Sequence, residues 1–265
     1  MTERPAILKY PRTPHLSGSR LQSGDEDLAI APLSALDGAS VVAEEKLDGS
    51  NSAVSFAPDG TLLIQSRGKY LRGGAGEADF QLLKVWANNR RGVLWETLGD
   101  RYVMYGEWLF AHHMIYYDRL PSYFIEFDVL DRRSGAFLDT ASRRALLAGV
   151  PELASAPVLF EGPAQAMPSP SELIVESSFR SKTWREALEI AAAGHAIETE
   201  RVLRACDPSP LAEGLYIKTE GGGVVTGRFK FVRATFRQAV DALGEHWKNR
   251  PLLPNTLSKD APRFV

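Results

Sequence analysis

The heptapeptide Glu45-Lys46-Leu47-Asp48-Gly49-Ser50-Asn51 brings an amine, a carboxylate and a flexible turn close together. In an extended segment, side chains two residues apart share a face, so Lys46 and Asp48 would point into one space. A lysine placed this way suits attack on a nucleoside triphosphate, giving a lysyl-nucleotide and pyrophosphate. Free lysine has a pKa near 10.4, so roughly one side chain in a thousand is a neutral nucleophile at pH 7. Nearby cations and a metal ion would depress that value and make Lys46 competent. Alone, Lys-x-Asp-Gly also describes a surface turn, so the pattern needs company.

The elements that must position this motif are readable nearby. Val41-Val42-Ala43 is a β-type run leading into it, and Gly49 permits a sharp bend after it. Val54-Ser55-Phe56, the turn Pro58-Asp59-Gly60 and Leu62-Leu63-Ile64 read as strand, turn, strand. Residues 78–98 read as a helix with Phe80, Leu83, Val85 and Trp86 on its apolar side. Strands are expected at Tyr102–Tyr105 and Tyr123–Leu130, and Asp139-Thr140 reads as an N-cap for a helix through about Leu147. Pro163, Pro168 and Pro170 interrupt the Pro- and Ala-rich stretch 150–180. Helices are expected over 181–193 and 197–205. Strands at 214–218 and 227–232 flank a Gly221-Gly222-Gly223 turn, and Phe236, Val240, Leu243 and Trp247 have helical spacing over about 236–248. Strands in hairpins with helices between them argue for an α+β fold.

Bulk properties exclude several classes. The chain has 265 residues and a net charge of −2, so any nucleic-acid contact must come from a local basic patch. Its single cysteine, Cys206, rules out an internal disulfide and a cysteine-built metal site, which fits a reducing compartment. No apolar run has the length of a signal peptide or a membrane span, so a soluble cytoplasmic protein without membrane partners is expected.

Further motifs follow the lysine in a fixed order: Ser66-Arg67-Gly68, Tyr105-Gly106-Glu107-Trp108, Phe127-Asp128, Glu213-Gly214-Leu215-Tyr216-Ile217-Lys218 and Arg228-x-Lys230. Together they resemble the motif series of the covalent nucleotidyltransferases, which include DNA ligases, RNA ligases and capping guanylyltransferases. The resemblance runs from about residue 41 to 233. It implies a nucleotidyltransferase (ATP-grasp-like) fold of antiparallel sheets with flanking helices, in a domain over 1–235 followed by a short helix and tail over 236–265.

The resemblance also implies roles. Lys46 is the nucleophile, with Glu45 beside it at the nucleotide. Asp48 orients Lys46 or a metal-bound water, or is simply a turn-stabilising aspartate. Ser66 and Arg67 contact the nucleotide ribose or the nucleic-acid phosphate; the plainer alternative for Arg67 is a solvated cluster with Lys69 and Arg72. Glu107 accepts hydrogen bonds from the ribose hydroxyls, as an ionised carboxylate can. Phe127 stacks on the purine rather than packing in the core. Glu213, with Asp48, holds Mg²⁺ or Mn²⁺, since such ions favour carboxylate and phosphate oxygens. Lys218 binds the α-phosphate, and Lys230 is a further catalytic phosphate ligand. Arg228 stands where the family usually has a lysine, which keeps the charge but changes the geometry; Lys230-Phe-Val-Arg233 offers a register shifted by two. His112-His113 has no metal-ligand spacing partner and reads as structural or solvent-facing, and the segment holding His15, Ser17, Ser19 and Arg20 as an N-terminal lid or a triphosphate-facing loop.

Only 35 residues follow Lys230, too few for the OB-type barrel that DNA ligases and capping enzymes carry there. Ser50-Asn51 after Asp48-Gly49 is similar to the RNA ligase form of the motif. The resemblance therefore implies an ATP-dependent RNA ligase that joins 5′-phosphate and 3′-hydroxyl ends through a lysyl-AMP intermediate. Asn51 would place the 3′-hydroxyl end or serve only as a turn residue. Arg67, Lys69, Arg72, Lys230, Arg233, Arg237, Lys248 and Arg250 are candidates for one basic RNA face. The alternatives are a DNA ligase, a capping-type enzyme, a non-catalytic nucleotide- or RNA-binding protein, and a subunit dependent on a separate end-healing partner.

Overall fold

The computed structural model describes residues 5–21, 27–236, 250–262 and 264. Early in the chain lie the strands β1 (His15–Leu16), β2 (Ile30–Ala31), β3 (Ser40–Lys46), β4 (Ser50–Phe56), β5 (Leu62–Ser66) and β6 (Lys69–Tyr70). Helices α1 (Gln81–Asn89) and α2 (Arg91–Leu98) precede β7 (Tyr102–Trp108), β8 (Phe124–Asp131) and α3 (Thr140–Leu147). Then come β9 (Ala154–Ser155), β10 (Val158–Pro163), α4 (Pro170–Leu173), α5 (Trp184–Gly194), α6 (Thr199–Arg204), β11 (Gly214–Gly221) and β12 (Val224–Val232).

The strands form two six-stranded sheets, β10-β3-β11-β12-β1-β2 and β6-β5-β4-β7-β8-β9. Pairing is antiparallel in the central strands, as expected. The short edge pairs β1–β12, β1–β2 and β8–β9 are parallel, which the expectation of antiparallel sheets missed. The chain passes from the first sheet to the second within Leu47-Asp48-Gly49, between β3 and β4. The lysine motif is therefore the crossover itself. Gly49 is required there by packing: a Cβ would lie 2.6 Å from both the Trp108 carbonyl oxygen and Leu109 Cδ2.

β3 lies between β10 and β11, so Val41, Val42 and Ala43 are buried on both faces. This central position also buries Glu44 and Glu45, an arrangement that needs partners. Arg143 Nη2 donates to Glu44 Oε1 at 2.5 Å, and Lys218 Nζ lies 2.8 Å from Glu44 Oε2 and 2.9 Å from Asp128 Oδ1. These cations keep the Glu44 carboxyl below its ordinary range despite its burial. Arg143 is delivered by α3, whose N-cap Asp139 accepts from Ser142 N at 2.8 Å.

The residues expected as one helix over 78–98 break at Arg90 into α1 and α2. Leu83, Trp86, Leu94 and Leu98 pack against Val54, Phe56, Met104 and Phe124 of the second sheet, and two short helices follow that curved surface. β10 lies in the Pro-rich stretch where no strand was read, and its final residue Pro163 pairs at the sheet edge with Ser40. The N-terminal segment is not a lid. His15 is buried in β1, and His15 Nδ1 and Ser19 Oγ lie 2.6 Å apart. Most of the helix expected over about 236–248 lies outside the described residues. Beyond it, residues 250–257 return to the body as a strap: Pro254 bridges to Ala111 and Leu257 to Leu120. Phe264 joins the core beside Trp86 and Trp108. No helix among the described residues is long and apolar enough to cross a membrane.

Among the described residues Arg143 forms ion pairs with both Glu44 and Glu126, and all three side chains are fully buried. Replacing it with methionine is expected to cost about 3–5 kcal/mol, because it leaves buried carboxylates uncompensated. Urea unfolding monitored by circular dichroism measures this loss directly.

Candidate active site

A cavity of about 800 Å³ is lined from both sheets. Lys46, Asp48, Asn51, Ser66, Arg67, Glu107, Phe127, Glu213 and Lys230 all line it, although they come from segments far apart in the chain. The β3–β11 register sets Lys46 opposite Gly214, which brings the preceding Glu213 alongside. Lys46 Nζ lies 2.7 Å from Glu213 Oε1, with the lysine side chain 23% exposed and the glutamate 2%. Gly214 fits because a side chain there would collide with the Phe231 carbonyl.

Carboxylates dominate this end of the cavity. Burial alone would lower the Lys46 pKa, but Glu213, Glu107 and Asp48 outweigh it and hold the amine as an ammonium. The expectation of neighbouring cations at Lys46 is thus corrected: its immediate field is negative. Burial, with Glu213 and Asp48 nearby, pushes Glu107 up to about 8. At neutral pH in this cavity Glu107 therefore carries a proton, and it can donate as well as accept a hydrogen bond. Glu107 faces Asn51 across the β4–β7 pair.

Asp48 holds the crossover to a neighbouring loop. Its Oδ2 accepts from Met114 N and Ile115 N at 2.7 Å each, while its own N–H donates to the Tyr117 hydroxyl at 2.8 Å. Glu45 lines the cavity, but its two carboxylate oxygens accept from Ser177 Oγ at 2.6 Å and Ser178 N at 3.0 Å. Carboxylates of this kind suit a hard divalent cation, and Glu213 and Asp48 are the pair flanking Lys46. No group of three or more potential metal ligands occurs among the described residues, so such an ion would also need phosphate and water oxygens.

Phe127 stands at an aromatic end of the cavity. Tyr10 crosses it at 90° with ring centroids 5.2 Å apart, and Tyr216 lies at 5.9 Å. The Tyr10 hydroxyl donates to Asp128 Oδ2 at 2.5 Å and also pairs with the Tyr216 hydroxyl. No motif or periodicity marks Tyr10, which reaches the site from an irregular segment whose Leu8 O accepts from Gln65 Nε2 and the Tyr105 hydroxyl.

Two expected phosphate ligands are not brought into the cavity. Lys218 is 1% exposed and holds Glu44, Asp128 and, at 2.5 Å, the Phe127 carbonyl oxygen. Arg228 lies behind the aromatic wall, its guanidinium carbon 3.9 Å from the centre of the Phe137 ring and 5.5 Å from that of Tyr10. Arg233 pairs with Asp207 and donates to Ala212 O at 2.7 Å, away from the cavity. Of the proposed basic face, Arg67, Lys69, Lys230 and Arg250 line the cavity, whereas Arg237 and Lys248 lie outside the described residues. His112 and His113 also line it, His113 being buried.

The family model for RNA ligase matches residues 39–232. Among solved structures, an archaeal ATP-dependent RNA ligase is 16% identical, with 87% of this chain and 49% of that one covered and a TM-score of 0.52. A Naegleria gruberi RNA ligase with ATP and Mn is 16% identical, with 79% and 54% covered and a TM-score of 0.48. The chain thus spans about half the length of the solved structures it matches. No curated protein matches it.

The raised Glu107 pKa has a measurable consequence. As pH rises from 4.5 toward about 8, the unfolded chain releases this proton while the folded protein keeps it, so Glu107 makes stability fall across that window. Glu107→Gln is expected to flatten the decline, which urea midpoints of the nucleotide-free protein at about pH 5 and pH 8 would register.

Proposed function

The chain belongs to the RNA ligase family, and we propose that it is an ATP-dependent ligase joining RNA 5′-phosphate and 3′-hydroxyl ends. The observation that carries this reading is Lys46 on the crossover between the sheets, 2.7 Å from Glu213, in a cavity that also holds Glu107, Phe127 and Lys230. Lys46 would attack the α-phosphorus of ATP, forming a lysyl-AMP bond as the bond to pyrophosphate breaks. AMP would pass to an RNA 5′-phosphate, and a 3′-hydroxyl would displace it to seal the strand.

Lys46 must first lose a proton, and its negative surroundings oppose that loss. Glu213 and Asp48 would hold Mg²⁺ or Mn²⁺, which neutralises charge developing on the phosphates. A cation held there would weaken the hold of Glu213 and Asp48 on the ammonium, and the proton of Lys46 would pass to water. Phe127 would take the purine face, Glu107 the ribose hydroxyls, Ser66 and Arg67 the ribose or RNA phosphate, and Lys230 the α-phosphate. Lys218 would act through the Phe127 carbonyl, and Asn51 would meet the 3′-hydroxyl strand.

Incubation with divalent metal and ATP is expected to give a protein–AMP adduct seen by intact mass, with none from GTP or from Lys46→Ala. Absence of any adduct from folded, nucleotide-free protein would favour a binding protein instead.

A further inference from the structure

Lys230 sits two residues before the end of β12, where a strand frays unless both of its edges are held. β11 holds one edge. On the other, the N–H groups of Lys230 and Val232 point away from β11 and meet the N-terminal segment. Lys230 N donates to Pro14 O at 2.9 Å, with His15 of β1 directly beside Lys230 in the register. One rung on, a side chain stands in for the backbone partner: Val232 N donates to Ser19 Oγ at 2.9 Å. Arg20 N returns a bond to Val232 O at 3.0 Å. Ser19 arrives there because the chain turns at Gly18, whose φ of +87° favours glycine, and Ser19 N closes the turn on Leu16 O at 3.0 Å. A Cβ on Gly18 would also lie 3.3 Å from the Phe231 ring.

Resting on the ligase reading above, we propose that Ser19, braced by His15, is a positioning residue that holds Lys230 in place for the reaction. A hydroxyl has one proton and two lone pairs. After accepting from Val232 N it can still pair with His15 Nδ1, 2.6 Å away. His15 is fully buried, and on its far side it pairs with Ile30 of β2, where Ser17 N donates to Ala31 O at 2.8 Å. Leu16 belongs to one buried cluster with Leu215 and Phe231, which seats β1 on the same core as β11 and β12. The anchor thus runs from β2 through His15 and Ser19 to the end of β12. Backbone ladder bonds alone would leave this edge indifferent to residue type; the Ser19 link makes it depend on one hydroxyl. Across the sheet Lys230 pairs with Tyr216, and both line the cavity together with Thr13 of the anchoring segment. A displaced strand end therefore displaces the Lys230 ammonium. Its charge acts where negative charge develops on the α-phosphate, so misplacing it costs rate more than ATP binding.

The test follows single-turnover AMP-adduct formation by intact mass, with divalent metal and varied ATP, in the full chain freed of nucleotide. The proteins compared are the parent, Ser19→Ala, Ser19→Thr, Lys230→Ala and the double variant Ser19→Ala/Lys230→Ala. Ser19→Ala is expected to lower the maximal rate about tenfold while half-saturating ATP stays within about twofold, and Ser19→Thr to recover most of the loss. Lys230→Ala already lacks the group being positioned, so the double variant should match it within about twofold. Amide hydrogen exchange at Lys230 and Val232 is expected to quicken in Ser19→Ala and to stay near parental in Ser19→Thr. A parental rate for Ser19→Ala would overturn the proposal, and so would a further loss of about tenfold in the Lys230→Ala background. If Ser19→Ala does not fold, Ser19→Cys gives the same readings, since it keeps the side-chain size with a weaker acceptor. A parent that forms no adduct with ATP would refute the ligase reading instead. Hydrogen exchange would then decide the anchor, with unchanged exchange in Ser19→Ala overturning it.

Discussion

The register between β3 and β11 is the constraint on which the site depends. It sets Lys46 opposite Gly214, which puts Glu213 within 2.7 Å of the amine. Side chains in a strand alternate between faces, so a slip of one residue would turn Lys46 away from the cavity and expose Glu44 to the wrong surroundings. The buried ion pairs of Glu44 with Arg143 and Lys218 belong to the same strand and oppose such a slip. Catalytic geometry and fold specificity are thus carried by neighbouring residues of one short segment.

Around Lys46 the protein concentrates negative charge, and farther along the same cavity it concentrates positive charge. The first keeps the lysine charged and Glu107 protonated, and in the second burial and neighbouring cations keep the His112 imidazole neutral. A polyanion carrying a divalent cation complements both ends at once.

Much of this was legible in the sequence. The order of the motifs located Lys46, Glu107, Phe127, Glu213 and Lys230, and alternating apolar residues located most central strands. What failed has a common physical origin, distance along a strand. Lys218 is four residues past Gly214, about 13 Å along β11 at the usual rise, so it cannot serve the place where Lys46 sits. Arg228 pairs with Lys218 and shares that displacement, whereas Lys230 pairs with Tyr216, which lines the cavity. Tyr10 comes from an irregular segment, where no periodicity announces which side chain turns inward. His112 and Arg250, named from their residue types, likewise lie outside the regular strands and helices. Only the tertiary path of those segments reveals them.

The order of strands in the two sheets also governs when the site can exist. The second sheet uses residues 50–155 alone, so a growing chain can complete it early. The first sheet joins β1, β2 and β3 to β10, β11 and β12, and the lysine strand has only late-made neighbours on either side. β3 meets its first neighbour, β10, once residues 158–163 have been made and its other neighbour, β11, only after residue 221. Until then the lysine strand keeps an unpaired, apolar edge carrying two glutamates. Contacts of such large sequence separation make assembly of this half the slow part of folding. A ribosome-bound fragment would therefore hold a formed second sheet while Lys46 still lacked Glu213 beside it.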